Sequence, residues 1–230
     1  MFRFFTVHVY CLIVLALISA SCAVSKPTPI PTLPSPVNDL PLAVGNTWVF
    51  QVTRYEGFNP REIMTATLVI TETVVEVKST ESYFVAKIHR DESAETPVVV
   101  PPSMRDIPPR PATSSDHWFV VGENRIYLQE KNLDVSNLYD TAKLELVLPL
   151  KVGEKWNLFD GGIVREIVKV DTVVVPAGRF DNCFFFEDAW ATDIATTCFC
   201  PNVGFVDEKM DHRGTPIGWH RVLTKYQLKK

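Results

Sequence analysis

The sequence predicts a mainly β protein, either an antiparallel two-sheet sandwich or a curved half-barrel, built from two related β units. Three observations carry that expectation. Nearly every apolar segment after Trp48 is short, β-branched or aromatic, and bounded by turn residues, which is the chemistry of strands. Several segments alternate in character: Phe84, Ala86 and Ile88 fall on one face with Lys87 and His89 on the other, and Val222, Thr224, Tyr226 and Leu228 share a face. Such alternation marks antiparallel strands with one face toward a core. Finally, Pro41-Leu42-Ala43-Val44-Gly45-Asn46-Thr47-Trp48 returns as Pro149-Leu150-Lys151-Val152-Gly153-Glu154-Lys155-Trp156.

The predicted strands lie near 46–55, 63–77, 82–90, 117–121, 125–130, 143–148, 155–159, 163–175, 182–190, 195–200, 203–209 and 218–228. No stretch has a helical period, although 131–142 has room for a turn or two. In the repeated motif, Pro-Leu ends one segment, Gly permits a turn, and Trp opens the next strand by burying a large ring. The repeat implies related halves at about 41–116 and 149–230 within one β domain spanning 41–230. Trp48 and Trp156 are also candidates for a pair of aromatic ligand platforms, against the plainer reading of core residues. Between the halves, six prolines from Pro97 to Pro111 predict a long irregular loop over 96–116. In Val173 to Phe180, a strand ends at Pro176, Gly178 supplies a turn open to positive φ, and Phe180 re-enters the core.

Ahead of the domain, one Arg precedes an apolar stretch from Val7 to Ile18 and then small residues up to Cys22. This is the layout of a signal peptide over 1–21, too short to span a membrane comfortably. Ile18-Ser19-Ala20-Ser21-Cys22 resembles the lipobox of bacterial lipoproteins, departing from it at Ser19, where Leu is usual. That resemblance implies lipidation of Cys22 and attachment to a membrane through the N-terminal lipid; ordinary cleavage and secretion is the alternative. Residues 22–40 alternate Pro with Thr, Ile, Ser and Leu, a composition that favours an extended tether rather than a packed core.

Without residues 1–21 the chain carries 22 basic and 27 acidic side chains, a net charge of −5, which argues against nucleic acid as a partner. Cys183, Cys198 and Cys200 remain after Cys11 and Cys22 are set aside. In an exported chain they are disulfide candidates, with a bridge across the hairpin that Cys183 forms with either of the others. Cys198, Cys200, His212 and His220 are the residues that could surround zinc, at a spacing that matches no known zinc pattern. Glu187, Asp188 and Asp193 near the hairpin tip could bind calcium, but read more simply as solvated turn carboxylates. No phosphate-binding or dinucleotide fingerprint occurs, and no catalytic residue is identified among His89, His117, His212 and His220. No cofactor is expected.

The paired Pro-Leu-x-Val-Gly-x-x-Trp motifs, together with Val173-Val174-Val175-Pro176-Ala177-Gly178-Arg179-Phe180-Asp181-Asn182-Cys183 and Pro201-Asn202-Val203-Gly204-Phe205-Val206, resemble a group of uncharacterised bacterial lipoproteins and secreted proteins. Asn202 stands where that group usually has Gly. The resemblance implies a β fold at the cell envelope and supplies no catalytic residue. The expectation for function is a non-enzymatic, envelope-tethered lipoprotein that binds an apolar ligand or an envelope protein, or serves as a scaffold. A hydrolase or metal-dependent enzyme, with a site assembled only in three dimensions, is the alternative.

Overall fold

The computed structural model of the chain describes residues 40–59, 61–130, 133, 135, 141–159, 162–190 and 193–229. The signal peptide, most of the tether, the candidate lipidation site Cys22 and most of 131–142 lie outside these residues. Thirteen strands follow in chain order: β1 (Thr47–Asn59), β2 (Glu62–Ser79), β3 (Phe84–Glu92), β4 (Thr96–Val99), β5 (Thr113–Gly122), β6 (Arg125–Gln129) and β7 (Lys143–Val147), then β8 (Lys155–Asn157), β9 (Val164–Val175), β10 (Gly178–Ala189), β11 (Asp193–Cys200), β12 (Gly204–His212) and β13 (Gly218–Gln227). All pair antiparallel in one continuous sheet, so the mainly β expectation holds, with one curved sheet rather than two stacked ones.

The spatial order is β7-β6-β5-β3-β2-β1-β13-β12-β11-β10-β9-β8, with β4 paired to β2 off that path. Each motif copy therefore precedes a six-strand meander, and the two meanders join where β1 pairs β13. The far edges nearly close the sheet into a barrel. Leu144 N in β7 donates to Leu158 O, just past β8, at 2.8 Å. The Trp156 indole N–H donates to Leu144 O at 2.9 Å across the same seam.

Period-2 alternation decides which side chains fill the interior. Trp48, Phe50 and Val52 of β1 are buried, as are Ile70 and Val74 of β2 and Phe84, Ala86 and Ile88 of β3. Lys87 and His89 face outward, where both meet Asp116. The alternation expected for 222–228 breaks at a bulge: Val49 pairs Lys225, but Phe50 pairs Leu223. Thr224 is the extra residue, so Leu223 is fully buried and Val222 is not. Burying each large apolar side chain stabilises the barrel by about 1.5–3 kcal/mol.

Two details extend the sequence reading. The proline-rich segment is less irregular than its composition suggests: 96–99 forms β4, 102–104 a turn of 3-10 helix, and β5 begins at Thr113. Pro97 is tolerated because β4 is an edge strand paired only to β2. The segment is pinned by Glu95, which is buried and accepts from the Arg54 guanidinium and from Arg110 N at 3.3 Å. Gly178 has φ +141° and pairs directly with Val175, so β9 and β10 turn through Pro176 and Ala177 alone.

The cysteines are resolved in one arrangement. Cys183 in β10 is bridged to Cys200 in β11, and Cys198 remains a free, buried thiol whose titration burial pushes up to about 12. A bridge closing a loop of this length, 17 residues apart in sequence, contributes about 3 kcal/mol through the unfolded chain.

Candidate functional site

The barrel interior holds a cavity of about 260 Å³. Its walls come from both meanders because inward-facing positions of neighbouring strands line up. Trp48 pairs Glu72 and Glu72 pairs Arg90; Ile88 pairs His117; Val52 pairs Arg221, which pairs Glu208. One part of the wall is apolar, made by Leu40, Leu42, Trp48, Phe50, Ile88, Phe119, Leu128 and Phe205. The rest is charged: Glu72, Arg90, Glu92, Glu130, Glu145, Glu208 and Arg221, with His117 between. Leu40 and Leu42 are almost fully buried, so the chain enters the barrel directly against its cavity.

The charged groups are organised around two guanidiniums. Arg221 donates to Glu208 at 2.7 Å through Nη1 and meets Glu72 at 2.8 Å through Nη2, while its plane lies 3.7 Å from the Phe50 ring centre. Arg90 pairs Glu92 at 2.8 Å and approaches Glu72 at 4.0 Å. Burial alone would raise the Glu72 carboxyl, but its cationic neighbours, Arg221 foremost, outweigh that and hold it below the usual carboxylate range. Arg90 Nε and Arg221 Nε are each buried without a hydrogen-bond partner among the described residues.

His117 stands apart from these ion pairs. It is 8% exposed, packs edge-on against Phe119 at 5.8 Å, and makes no side-chain hydrogen bond among the described residues. Burial pushes its titration below the ordinary histidine value, which leaves a neutral ring with one donor and one acceptor directed at the cavity. Ser115 projects from the same strand two residues earlier and also lines the cavity. No hydrogen bond joins the two among the described residues, so the pair lacks the contact that would activate a serine nucleophile.

A second charged cluster sits at the seam and is filled rather than open. Arg165, 1% exposed, grips Asp188 with two bonds of 2.7 Å, and its Nη1 reaches Glu145 at 2.8 Å and the Glu145 carbonyl at 3.2 Å. Lys143 adds a further 2.7 Å contact to Glu145. Burial opposes ionisation of Glu145, yet Lys143 and Arg165 hold its carboxyl below the usual range. The cluster ties β7 to β9 and β10, so its chemistry is that of a structural clasp.

The remaining sequence candidates resolve as follows. Trp48 lines the cavity and also donates to Val203 O at 2.7 Å; Trp156 is core, edge-on to Phe186 at 5.9 Å, and does not reach the cavity. The zinc set does not assemble. Cys200 is spent in the disulfide, His212 bonds Thr215 at 2.8 Å, and His220 bonds Asp207 at 3.0 Å. The grouping found among the described residues is Cys183, Cys198 and Cys200, within 4.8 Å of one another, and two of those sulfurs are bonded to each other. Asp188 is no solvated turn residue: it is the inward partner of Arg165, while adjacent Glu187 is exposed on the other face, so the calcium trio cannot converge. The Arg165 clasp and the Glu72–Arg221–Glu208 chain escaped sequence reasoning. A charged residue alternating with apolar ones on a strand was the available signal for both.

No protein family and no curated protein matches this chain. Among solved structures, a Parabacteroides distasonis protein named as a lipoprotein aligns at TM-score 0.50 and 15% identity, over 81% of this chain and 97% of that one. A Bacteroides fragilis protein named as exported, with a YmcC-like fold, aligns at TM-score 0.49 and 12% identity over 81% and 97%. A β-barrel-like protein of Brucella abortus, carrying a domain of unknown function, aligns at 0.34 and 9% over 81% and 98%. At such identities the likeness is one of fold, and only the first reaches a score at which even the fold is compared. The chain thus shares its nearly closed antiparallel fold with the Parabacteroides distasonis protein.

Proposed function

We propose that this chain is a non-enzymatic binding protein of the cell envelope, held to a membrane by lipid on Cys22, that receives a small amphipathic molecule inside its barrel. The observation that carries the reading is the interior cavity, with an apolar wall facing a charged one and, between them, a buried imidazole that makes no side-chain hydrogen bond among the described residues. Ligand sites are concave and mostly apolar, with a few convergent polar groups that fix orientation. A buried polar atom with no bond, as Arg90 Nε and Arg221 Nε are among the described residues, costs about 1–3 kcal/mol, a cost that a bound molecule relieves. Support for export comes from the leader-like N-terminus, the tether composition and the disulfide.

Mass spectrometry of the full chain expressed in a bacterial host tests both parts. Under native conditions the expected result is a bound small molecule released on unfolding. After digestion, the expected N-terminal peptide starts at Cys22 and carries acyl chains; an unmodified start at Cys22 or elsewhere defeats the anchor while leaving the binding reading to the native measurement.

A further inference from the structure

The cavity's wall also specifies the charge of what it takes, an inference that rests on the binding role proposed above. Four carboxylates face two guanidiniums there: Glu72, Glu92, Glu130 and Glu208 against Arg90 and Arg221. Glu145 also borders the cavity, but it belongs to the seam, where Arg165 and Lys143 balance it and Asp188. Asp116 also borders the cavity, but its carboxylate is turned outward, where Lys87 and His89 meet it. The interior is therefore left with an excess of two negative charges.

The cations present already lie against carboxylates. Both terminal nitrogens of Arg221 hold a carboxylate, its face covers Phe50, and Arg90 is paired with Glu92. An incoming anion would find Arg90 Nε and Arg221 Nε, each buried without a hydrogen-bond partner among the described residues, but would have to share each guanidinium with the carboxylate beside it. An incoming cation displaces nothing. Glu130 has no ion-pair partner among the described residues, yet lies near enough to act on the charge of His117. His117 brings an acceptor that no side-chain hydrogen bond uses among the described residues, from a site more than nine-tenths buried. The aromatic rings of Trp48, Phe119 and Phe205 add faces that attract positive charge. We infer that the cavity selects a small organic cation, an amine whose head meets Glu130, Glu72 and His117 and whose apolar body lies against Leu42, Trp48 and Phe205.

Titration calorimetry of the full chain at pH 7.5 with hexylammonium, hexanoate and hexanol tests this, since the three probes share one apolar body and differ in charge. Hexylammonium is expected to bind, with hexanoate weaker by about tenfold or more. Glu130→Gln, at an exposed position, should weaken hexylammonium by about twofold to fivefold and hexanol by less. His117→Phe keeps the ring volume and should also weaken the ammonium. Equal binding of all three probes, or tighter binding of hexanoate, overturns the charge selection and leaves the cavity as a binding site. Binding of none of the three overturns both.

Discussion

The two copies of Pro-Leu-x-Val-Gly-x-x-Trp make the same bonds in unequal places. In each, the glycine has φ +87° and its N–H donates at 2.8 Å to a strand carbonyl, Gly45 to Val74 O and Gly153 to Ile167 O. The next residue donates back to the motif at 3.0 Å, Asn46 to Ala43 O and Glu154 to Lys151 O, and accepts from the same strand residue. Each Trp then sends its indole N–H to a distant carbonyl. The first copy opens a thirteen-residue strand in the long β1–β13 wall and lines the cavity. The second opens a three-residue strand at the edge of the sheet, where ladder bonds run short and a buried ionic clasp takes over. An identical local signal can thus serve a binding wall or a closure, depending on what the chain lays beside it.

The sharpest way to break this contrast is at the clasp. Arg165→Leu leaves Asp188 and Glu145 buried without their guanidinium and should cost about 3–5 kcal/mol in denaturant unfolding. Pairing it with Asp188→Leu should recover much of that loss, because the uncompensated charge goes too. A loss under 1 kcal/mol for the single variant would mean that the seam is held by its backbone bonds alone.

Next in size, Trp48→Phe and Trp156→Phe should each cost about 1–3 kcal/mol through a lost indole bond and an underfilled site. Only Trp48→Phe should also alter binding of a ligand in the barrel, as calorimetry would read. If Trp156→Phe changed binding equally, the division of labour between the copies would be wrong.

The two glycines offer a smaller, symmetric comparison. Gly45→Ala and Gly153→Ala each force a side chain into the left-handed region, at about 1–2 kcal/mol. An added Cβ has open space at Gly153 and meets the flexible end of Lys229 at Gly45, so the two losses should agree closely. A much larger loss at Gly45 would show that Lys229 cannot yield.

Acid should act on the two regions in sequence. The folded chain holds His117 below 6.5, so its stabilising share is complete above about pH 6.5 and is lost as pH falls from there through the folded value. Glu145 and Glu72 are held below 4.5, so theirs is complete above about pH 4.5 and fades on further acidification. Thermal unfolding followed from pH 7.5 to 3 should show a shallow slope and then a steeper one, and His117→Phe should remove only the first. A single slope, unmoved by that variant, would contradict a buried neutral imidazole.

Strand content was legible because alternation and β-branched runs report burial one residue at a time. The misreadings share another cause. Thr224 looked like a core-face residue because a bulge cannot be seen in a period-2 pattern. Asp188 looked solvated because the arginine that neutralises it lies 23 residues away. Cys198 and Cys200 stand on one face of one strand, so their sequence spacing could not choose which of them meets Cys183.

By itself, then, the sequence determined the β class, the turn at Gly178 and the repeated Gly-x-x-Trp signal, since each depends on local dihedral and burial preferences. Whether the sheet would close, which Trp would face a cavity, and which carboxylates would find a guanidinium were decided by tertiary structure. Those outcomes depend on register between strands far apart in the chain, and a one-residue slip in register turns an inward charge outward.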